Sequence, residues 1–140
     1  MEDWTIQLNQ TLTKTGIIAI VDDDEPLREA LRSVLKAAGF LTDTFASAEE
    51  FLDSPRRSTT SCLILDVRLP GMSGIELQRR LVDANSDVPV IFVTAHGDGA
   101  LRDLVMKAGA AGFLNKPVRS EALLKEINAA LEKSDTDQHS

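Results

Sequence analysis

The amino-acid sequence predicts one α/β domain of three layers, in which a five-stranded parallel sheet lies between two layers of helices. Five short apolar runs alternate along the chain with longer segments of helical periodicity. Each segment that connects two runs has room for a crossover helix, which makes the strands parallel and the connections right-handed. The length of 140 residues, with 43% hydrophobic and 26% charged residues, fits a single globular domain.

The predicted strands are runs of four to six residues, most of them rich in Ile, Val, Leu or Phe. They lie at residues 16–21, 41–45, 61–65, 88–93 and 111–114. Such runs are typical of strands that are buried on both faces of a sheet. The second run is more polar, because Thr42, Asp43 and Thr44 interrupt it, and this predicts a strand at the edge.

The predicted helices are recognised by apolar residues on one face and by capping signals at their starts. Helical periodicity covers residues 26–38, 100–108 and 121–133. Two further helices begin at capping boxes, Ser47 with Glu50 and Ser73 with Glu76, in which a hydroxyl caps the first turn. Ser120 is the predicted cap of the last helix. Each of the five helices therefore follows a predicted strand.

The two ends of the chain are predicted to lie outside the main domain. The predicted parts are an N-terminal extension, the main domain and a flexible tail, at residues 1–15, 16–133 and 134–140. In the extension, Trp4, Ile6, Leu8 and Leu12 stand among polar residues. Their spacing fits a short helical stripe docked on the domain, and it fits a loosely held extension equally well.

The charge balance and the single cysteine exclude several kinds of function. Asp and Glu outnumber Lys and Arg by 22 to 15, which argues against direct nucleic-acid binding and against an anionic membrane as partner. Cys62 lies in an apolar run, so we interpret it as a core residue without a disulfide. The sequence shows no apolar run long enough to span a membrane and no secretion signal. We therefore expect a cytoplasmic protein.

Polar residues stand at the carboxyl ends of four predicted strands. Asp22 and Asp23 follow the first strand, and Asp66 follows the third. Thr94 follows the fourth, and Lys116 comes shortly after the fifth. Because parallel strands have their carboxyl ends at one edge of a sheet, we expect these side chains to converge there.

A cluster of aspartates at this edge needs a physical reason. Two carboxylates about 4 Å apart repel each other by roughly 4 kcal/mol at an effective dielectric near 20, whereas a whole domain is stable by only about 5–15 kcal/mol. A bound cation or protonation of one acid relieves this repulsion, and hard oxygen ligands favour Mg²⁺. Lys116 adds a compact positive charge suited to a phosphoryl oxygen, and Thr94 adds a hydroxyl. These are the groups needed to transfer a phosphoryl group to a carboxylate.

Asp66 is the predicted nucleophile, because it stands alone at the end of the most apolar strand. Asp22 and Asp23 are adjacent and are interpreted as a metal-binding pair. The alternative for Asp66 is a structural role, in which it caps the loop after the third strand.

Four stretches of the sequence carry a set of motifs in a fixed order. They read IVDDDEP at residues 20–26, LILDVRLPGMSG at 63–74, VTA at 93–95 and KP at 116–117. Together they resemble the receiver (CheY-like) domain of two-component response regulators, over about residues 16–133. The resemblance implies a flavodoxin-like fold with strand order 2-1-3-4-5. Residues 94–98 are most similar to the subgroup whose longer members carry a LuxR-type helix-turn-helix.

The resemblance implies that a histidine kinase or a phosphotransfer protein phosphorylates Asp66. It implies a Mg²⁺ ion held by Asp23, Asp66 and the backbone carbonyl of Arg68. In this arrangement Asp22 acts through water, and the peptide bond before Pro117 is cis. The chain is then not an enzyme but a phosphoacceptor that assists its own phosphorylation and dephosphorylation.

The resemblance also implies how phosphorylation is signalled. Thr94 turns toward the phosphoryl oxygen, and Phe113 turns inward into the space left behind. The alternative is that Phe113 is simply a core residue. Because the sequence ends after the fifth helix, we expect signalling through an unknown downstream protein rather than direct DNA binding, with a phosphorylation-dependent homodimer as one form of it.

Two other functions fit parts of the sequence. A Mg²⁺-dependent phosphatase with an aspartyl-phosphate intermediate needs an acid two residues after the nucleophile, where this chain has Arg68. A receiver-shaped adaptor that is never phosphorylated does not explain the complete set of acids. Arg68 and His96 each lie two residues past a site residue. We predict that they flank the path of attacking water and set the lifetime of the phosphorylated form.

Overall fold

The computed structural model describes the backbone of residues 16–139 and the side chains of residues 16–133. The N-terminal extension with its predicted apolar stripe lies outside the described residues. The strands are β1 Ile17–Val21, β2 Leu41–Phe45, β3 Thr60–Asp66, β4 Val90–Thr94 and β5 Gly112–Asn115. The α-helices are α1 Glu25–Ala37, α2 Ala48–Asp53, α3 Gly74–Asp83, α4 Gly99–Lys107 and α5 Ser120–His139. A short 3₁₀ turn, Arg57–Thr59, precedes β3.

The strands form one parallel sheet in the order β2-β1-β3-β4-β5. This confirms the predicted fold class and strand order, and it confirms β2 as an edge strand. The winding reverses between β1 and β3, because α1 leads outward to β2 and α2 leads back to the other side of β1. A sheet of this kind has a crevice beyond the carboxyl ends of its strands at that switch point.

Two apolar clusters, one on each face of the sheet, hold the helices in place. In β1, Ala19 and Val21 belong to one cluster and Ile18 and Ile20 to the other, as the two-residue period of a strand requires. The first cluster includes side chains of α2, α3 and α4, and the second includes those of α1 and α5. Cys62 is fully buried in the second cluster, and burial raises the pKa of its thiol to about 12. Its prediction as a core residue is confirmed.

The serine caps of the two predicted capping boxes are present. The Ser47 Oγ accepts a hydrogen bond from the Glu50 N–H at 3.1 Å, and the Ser73 Oγ accepts one from the Glu76 N–H at 3.1 Å. These side chains satisfy backbone donors that the first turn of a helix leaves unpaired. They fix the starts of α2 and α3, the two helices whose first turns lie near the loop after β3.

The strands β3 and β4, and also β5, end one residue later than predicted. Asp66 pairs in register with Val93, and Thr94 pairs with Asn115, so each polar residue closes its strand instead of opening a loop. The hydrophobic pattern stops one residue early because both side chains are polar. The sheet therefore sets the direction of the Asp66 and Thr94 side chains.

The last helix also differs from its prediction. It continues to His139 instead of ending at Lys133, so residues 134–139 are helical where the sequence predicts a flexible tail. No Gly or Pro occurs between Val118 and His139, and polar composition alone does not stop a helix. Within the described residues, no helix combines the length and the apolarity that a membrane crossing requires.

Candidate functional site

Predicted site residues converge at the carboxyl edge of the sheet. Asp66 and Thr94 are the last residues of β3 and β4. Asp22 directly follows β1, and Lys116 directly follows β5. The Lys116 Nζ lies 2.9 Å from Asp22 Oδ2 and 3.1 Å from Asp66 Oδ2, so it bridges the two acids. The peptide bond between Lys116 and Pro117 is cis, as the family resemblance implies.

Asp23 completes a group of three carboxylates, called the acid cluster below (Asp22, Asp23 and Asp66). One carboxylate oxygen from each residue lies within 4.8 Å of the others. Asp22 and Asp66 are 2% and 6% exposed, whereas Asp23 is freely exposed, so the cluster opens to solvent on one side. Mg²⁺ is held in proteins by a few carboxylates and several waters. The geometry of the acid cluster fits such an ion.

The charges of the site do not balance. Three carboxylates and one ammonium give a formal charge of −2 (three negative charges against one positive). Burial raises the pKa of Asp66, and the nearby charge of Asp22 adds to this, while hydrogen bonds from the Arg68 N–H and Lys116 oppose it. Burial disfavours the charged form of Lys116, but hydrogen bonds to both buried aspartates outweigh it and raise the Lys116 pKa. The lysine therefore stays charged, and a divalent cation would balance the remaining charge.

Each buried aspartate is oriented by the backbone on one oxygen and by the lysine ammonium on the other. The Asp22 Oδ1 accepts a hydrogen bond from the Asp24 N–H at 2.9 Å. The Asp66 Oδ1 accepts one from the Arg68 N–H at 3.1 Å. The Arg28 Nη1 donates to the backbone carbonyl of Asp22 at 2.7 Å, a supporting contact that the sequence did not signal. Both carboxylates are thus held in one orientation before any ligand binds.

Thr94 lies beside a closely packed glycine and the predicted switch aromatic. Its Oγ1 accepts a 3.4 Å hydrogen bond from the His96 N–H, and its carbonyl accepts one from the Lys116 N–H at 2.8 Å. Phe113 is half-buried and packs against the first apolar cluster. A Cβ on Gly97 would lie 2.5 Å from Phe113 Cζ and 2.7 Å from Thr94 Cγ2. The sequence gives no sign of this role for Gly97, because its packing against Phe113 depends on the folded arrangement.

The two residues predicted to modulate the site lie at its surface. The side chains of Arg68 and His96 are exposed. Their backbone N–H groups are the donors that contact Asp66 and Thr94. Arg68 also lines a shallow depression together with Asp23. This placement is compatible with an effect on attacking water, which stays a prediction.

The loop between β3 and α3 is held near Asp66 by contacts that no local pattern signals. The Gly74 N–H donates to the Val67 carbonyl at 3.0 Å, and a Cβ on Gly74 would collide with the backbone oxygen of Asp66. The Glu49 Oε2 accepts a 3.0 Å hydrogen bond from the Met72 N–H, across 23 residues of sequence. This hydrogen bond lowers the pKa of Glu49. The sequence places Glu49 inside a capping box and gives no sign of its contact with the loop.

Comparisons with known proteins agree with this fold. Residues 18–128 match the family of the response regulator receiver domain. The chain is 44% identical over 118 residues to the response regulator protein TodT of Pseudomonas putida, which covers 84% of this chain and 52% of TodT. It is 42% identical over 132 residues to nodulation protein W of Bradyrhizobium diazoefficiens, which covers 94% of this chain and 58% of that protein. The chain thus spans little more than half the length of these relatives.

A solved structure gives the same result. The response regulator StyR superposes on this chain with a TM-score of 0.79 at 44% sequence identity. The match covers 88% of this chain and 62% of the StyR chain. The similarity to StyR therefore lies in the amino-acid sequence as well as in the backbone fold.

Proposed function

This chain belongs to the receiver-domain family of two-component response regulators, and on that basis we propose that Asp66 is its phosphoacceptor. The phosphoryl group comes from the phosphohistidine of a histidine kinase or of a phosphotransfer protein. One observation carries the proposal: the Asp66 carboxylate is buried in the acid cluster, 3.1 Å from the ammonium of Lys116. This position combines a fixed carboxylate with a positive charge for the incoming group.

In the proposed reaction, an oxygen of the Asp66 carboxylate attacks phosphorus while the bond from phosphorus to the histidine nitrogen breaks. The electron pair of that bond leaves with the imidazole nitrogen, which takes a proton from solvent. The hydrogen bond from the Arg68 N–H holds the carboxylate in place. Lys116 Nζ, which contacts both buried aspartates, pairs with a phosphoryl oxygen as negative charge builds up.

The acid cluster supplies the ligands for a divalent cation in this proposal. Asp23, Asp66 and the backbone carbonyl of Arg68 would hold Mg²⁺, with Asp22 acting through water, an arrangement that the family resemblance contributes. When bound, the cation neutralises phosphoryl oxygens and offsets the formal charge of −2 that the residues leave (three carboxylates, one ammonium).

Phosphorylation changes the surface near β4 and β5 in the proposed switch. The Thr94 hydroxyl donates to a phosphoryl oxygen, and Phe113 moves into the space beside it. Gly97 permits this movement because it has no Cβ to block either side chain. The altered surface binds a downstream protein or a second phosphorylated copy, and the exposed Arg68 and His96 side chains control access of water to the acyl phosphate.

Intact-mass measurement after incubation with acetyl phosphate and Mg²⁺ tests the proposal. We expect one phosphoryl group on the wild-type chain and none on Asp66→Asn. Asp83→Asn is the matched control, because Asp83 is an exposed acid at the end of α3. Equal labelling of Asp66→Asn and wild type would refute Asp66 as the acceptor.

The same sample separates a switch from a phosphatase with an aspartyl-phosphate intermediate. Such an enzyme needs an acid two residues after the nucleophile, and this chain has Arg68 there. We expect p-nitrophenyl phosphate to remain unhydrolysed beyond one equivalent per chain. Many turnovers that vanish in Asp66→Asn would favour the phosphatase.

A further inference from the structure

Two exposed apolar side chains lie on opposite walls of one groove. Among the described residues, the large apolar side chains that are more than half exposed are Leu41, Val82 and Leu104. Val82 on α3 and Leu104 on α4 both line a groove of about 300 Å³, here called the α3–α4 groove, whose other walls include Ile75, Gln78 and Val105. Single exposed apolar residues are common, whereas these two share one groove.

A residue that lines this groove, Gln78, has a buried polar atom without a partner among the described residues. Gln78 is only 3% exposed, and its Oε1 accepts no hydrogen bond from any part of the chain that the structure describes. Buried side-chain oxygens are nearly always paired. An occupant of the α3–α4 groove that is apolar and carries an N–H donor would satisfy both the apolar walls and this oxygen.

The groove continues toward the edge of the sheet at which the described chain begins. Gln78 and Val82 also line a cleft of about 610 Å³ that reaches Val88 and Lys133. Val88 precedes β4, so the cleft lies at the amino ends of the strands. Gly16, which precedes β1, is at the same edge because the strands are parallel, and only β3 separates β1 from β4. Two strand spacings amount to roughly 10 Å.

Residues 1–15 have the length and the chemistry for this surface. From Gly16, a chain of this size reaches Trp4 over up to about 40 Å if extended and about 18 Å if helical. Trp4 combines a large apolar ring with an indole N–H donor, which matches the walls and the unpaired oxygen of the groove. The acidic residues Glu2 and Asp3 precede it, and Arg79 lies exposed on the groove wall.

We propose that residues 1–15 bind to their own domain along the cleft, with Trp4 in the α3–α4 groove. In this proposal the ring packs between Val82 and Leu104, and the Gln78 amide turns so that its buried Oε1 accepts from the indole N–H. None of the three acid-cluster residues lines the α3–α4 groove, so the inference does not depend on the phosphoacceptor function.

Intrinsic fluorescence tests this directly, because Trp4 is the one tryptophan of the chain and the chain has no tyrosine. We expect the wild-type emission to be blue-shifted from that of N-acetyltryptophanamide and to resist quenching by acrylamide. Leu104→Lys should move both quantities to the values of the free indole. Leu41→Lys is the matched control, because Leu41 is 53% exposed against 56% for Leu104 and lies on the edge strand β2 rather than on a wall of the groove. It should behave as wild type.

Three outcomes would overturn the proposal. The first is a wild-type emission and quenching constant equal to those of the free indole. The second is the same change in Leu41→Lys as in Leu104→Lys, with circular dichroism showing that both are folded. The third is protection of Trp4 that disappears on dilution together with a dimer in sedimentation, which would assign the groove to the extension of a second copy.

Discussion

The carboxylate of Glu49, at the start of α2, accepts a 3.0 Å hydrogen bond from the backbone N–H of Met72. Met72 belongs to the loop that leaves Asp66 and carries Arg68 past the acid cluster. Gly71 in the same loop has a positive φ of 76°, and a Cβ there would lie 2.5 Å from the Glu49 carboxylate. The helix α2 therefore holds a loop that belongs to the site, although Glu49 itself forms no hydrogen bond or ion pair with a site residue in the part of the chain that the structure describes.

Replacement of Glu49 should weaken cation binding without abolishing the fold. We expect Glu49→Ala to weaken Mg²⁺ binding by about tenfold, the lower end of the loss found when a residue that supports metal ligands is removed. Glu49→Gln keeps an oxygen that accepts from Met72 and should retain most of the affinity. Isothermal titration with Mg²⁺ measures both.

Glu50→Ala is the control for Glu49, because the Glu50 side chain contacts the cap residue Ser47 rather than the loop. It should lower the melting temperature slightly and leave Mg²⁺ affinity unchanged. Equal affinities of Glu49→Ala and wild type would show that the loop needs no support from α2.

Asp23→Asn should stabilise the protein when no metal is present. The substitution removes one of three carboxylates that repel each other, and because Asp23 is exposed the gain should stay below about 1 kcal/mol. The same change should weaken Mg²⁺ binding, since a ligand is lost. In thermal melts, Asp23→Asn should therefore have the higher melting temperature in EDTA, and wild type should have the higher one in Mg²⁺. A lower melting temperature of Asp23→Asn in EDTA would contradict the repulsion.

In EDTA, Asp66→Asn should be more stable than wild type by an amount that depends on pH. Burial raises the pKa of Asp66 in the folded state, so the folded protein binds a proton more readily than the unfolded chain. At neutral pH the charged carboxylate costs stability, and the amide removes that cost. As the pH falls through the raised folded-state pKa, wild type takes up the proton and the difference in melting temperature should shrink. A difference that widens toward acid pH would show that the sign of the shift is wrong.

Cys62 should report cation binding through its rate of modification. The thiol is fully buried and burial raises its pKa to about 12, so a disulfide reagent reaches it only when the domain opens. A ligand present at about 100 times its dissociation constant adds about 2.7 kcal/mol to the folded state, which slows labelling roughly 100-fold. Labelling with dithionitrobenzoate should thus slow in Mg²⁺. If Mg²⁺ slowed the labelling of Asp23→Asn by the same factor, the cation would have to bind elsewhere.

The fold and the acid cluster were accessible from the sequence because both follow from short-range patterns. Apolar runs and caps mark the elements, and parallel topology brings the ends of β1, β3, β4 and β5 to one edge without any knowledge of packing. The fold therefore brings four predicted residues to one edge of the sheet: Asp22, Asp66, Thr94 and Lys116. The strand order and the cis bond before Pro117 came only from the family resemblance.

Contacts between segments that are far apart in the sequence could not be predicted from it. The partners Glu49 and Met72 are 23 residues apart, and nothing in either local pattern signals the other. The absent Cβ of Gly97 makes room for Phe113, and no local pattern signals this. Gln78 looks like an ordinary polar residue of an amphipathic helix, yet it is buried with an unpaired oxygen among the described residues. Such features depend on how neighbouring elements pack.

The position of the phosphoryl group is the most direct test of the proposed function. Borohydride reduces an acyl phosphate on aspartate to homoserine, which peptide mass spectrometry locates. After incubation with acetyl phosphate and Mg²⁺, we predict homoserine at position 66 and nowhere else, dependent on Mg²⁺. Modification at Asp22 or Asp23 instead, or none in a folded protein that binds Mg²⁺, would contradict Asp66 as the phosphoacceptor.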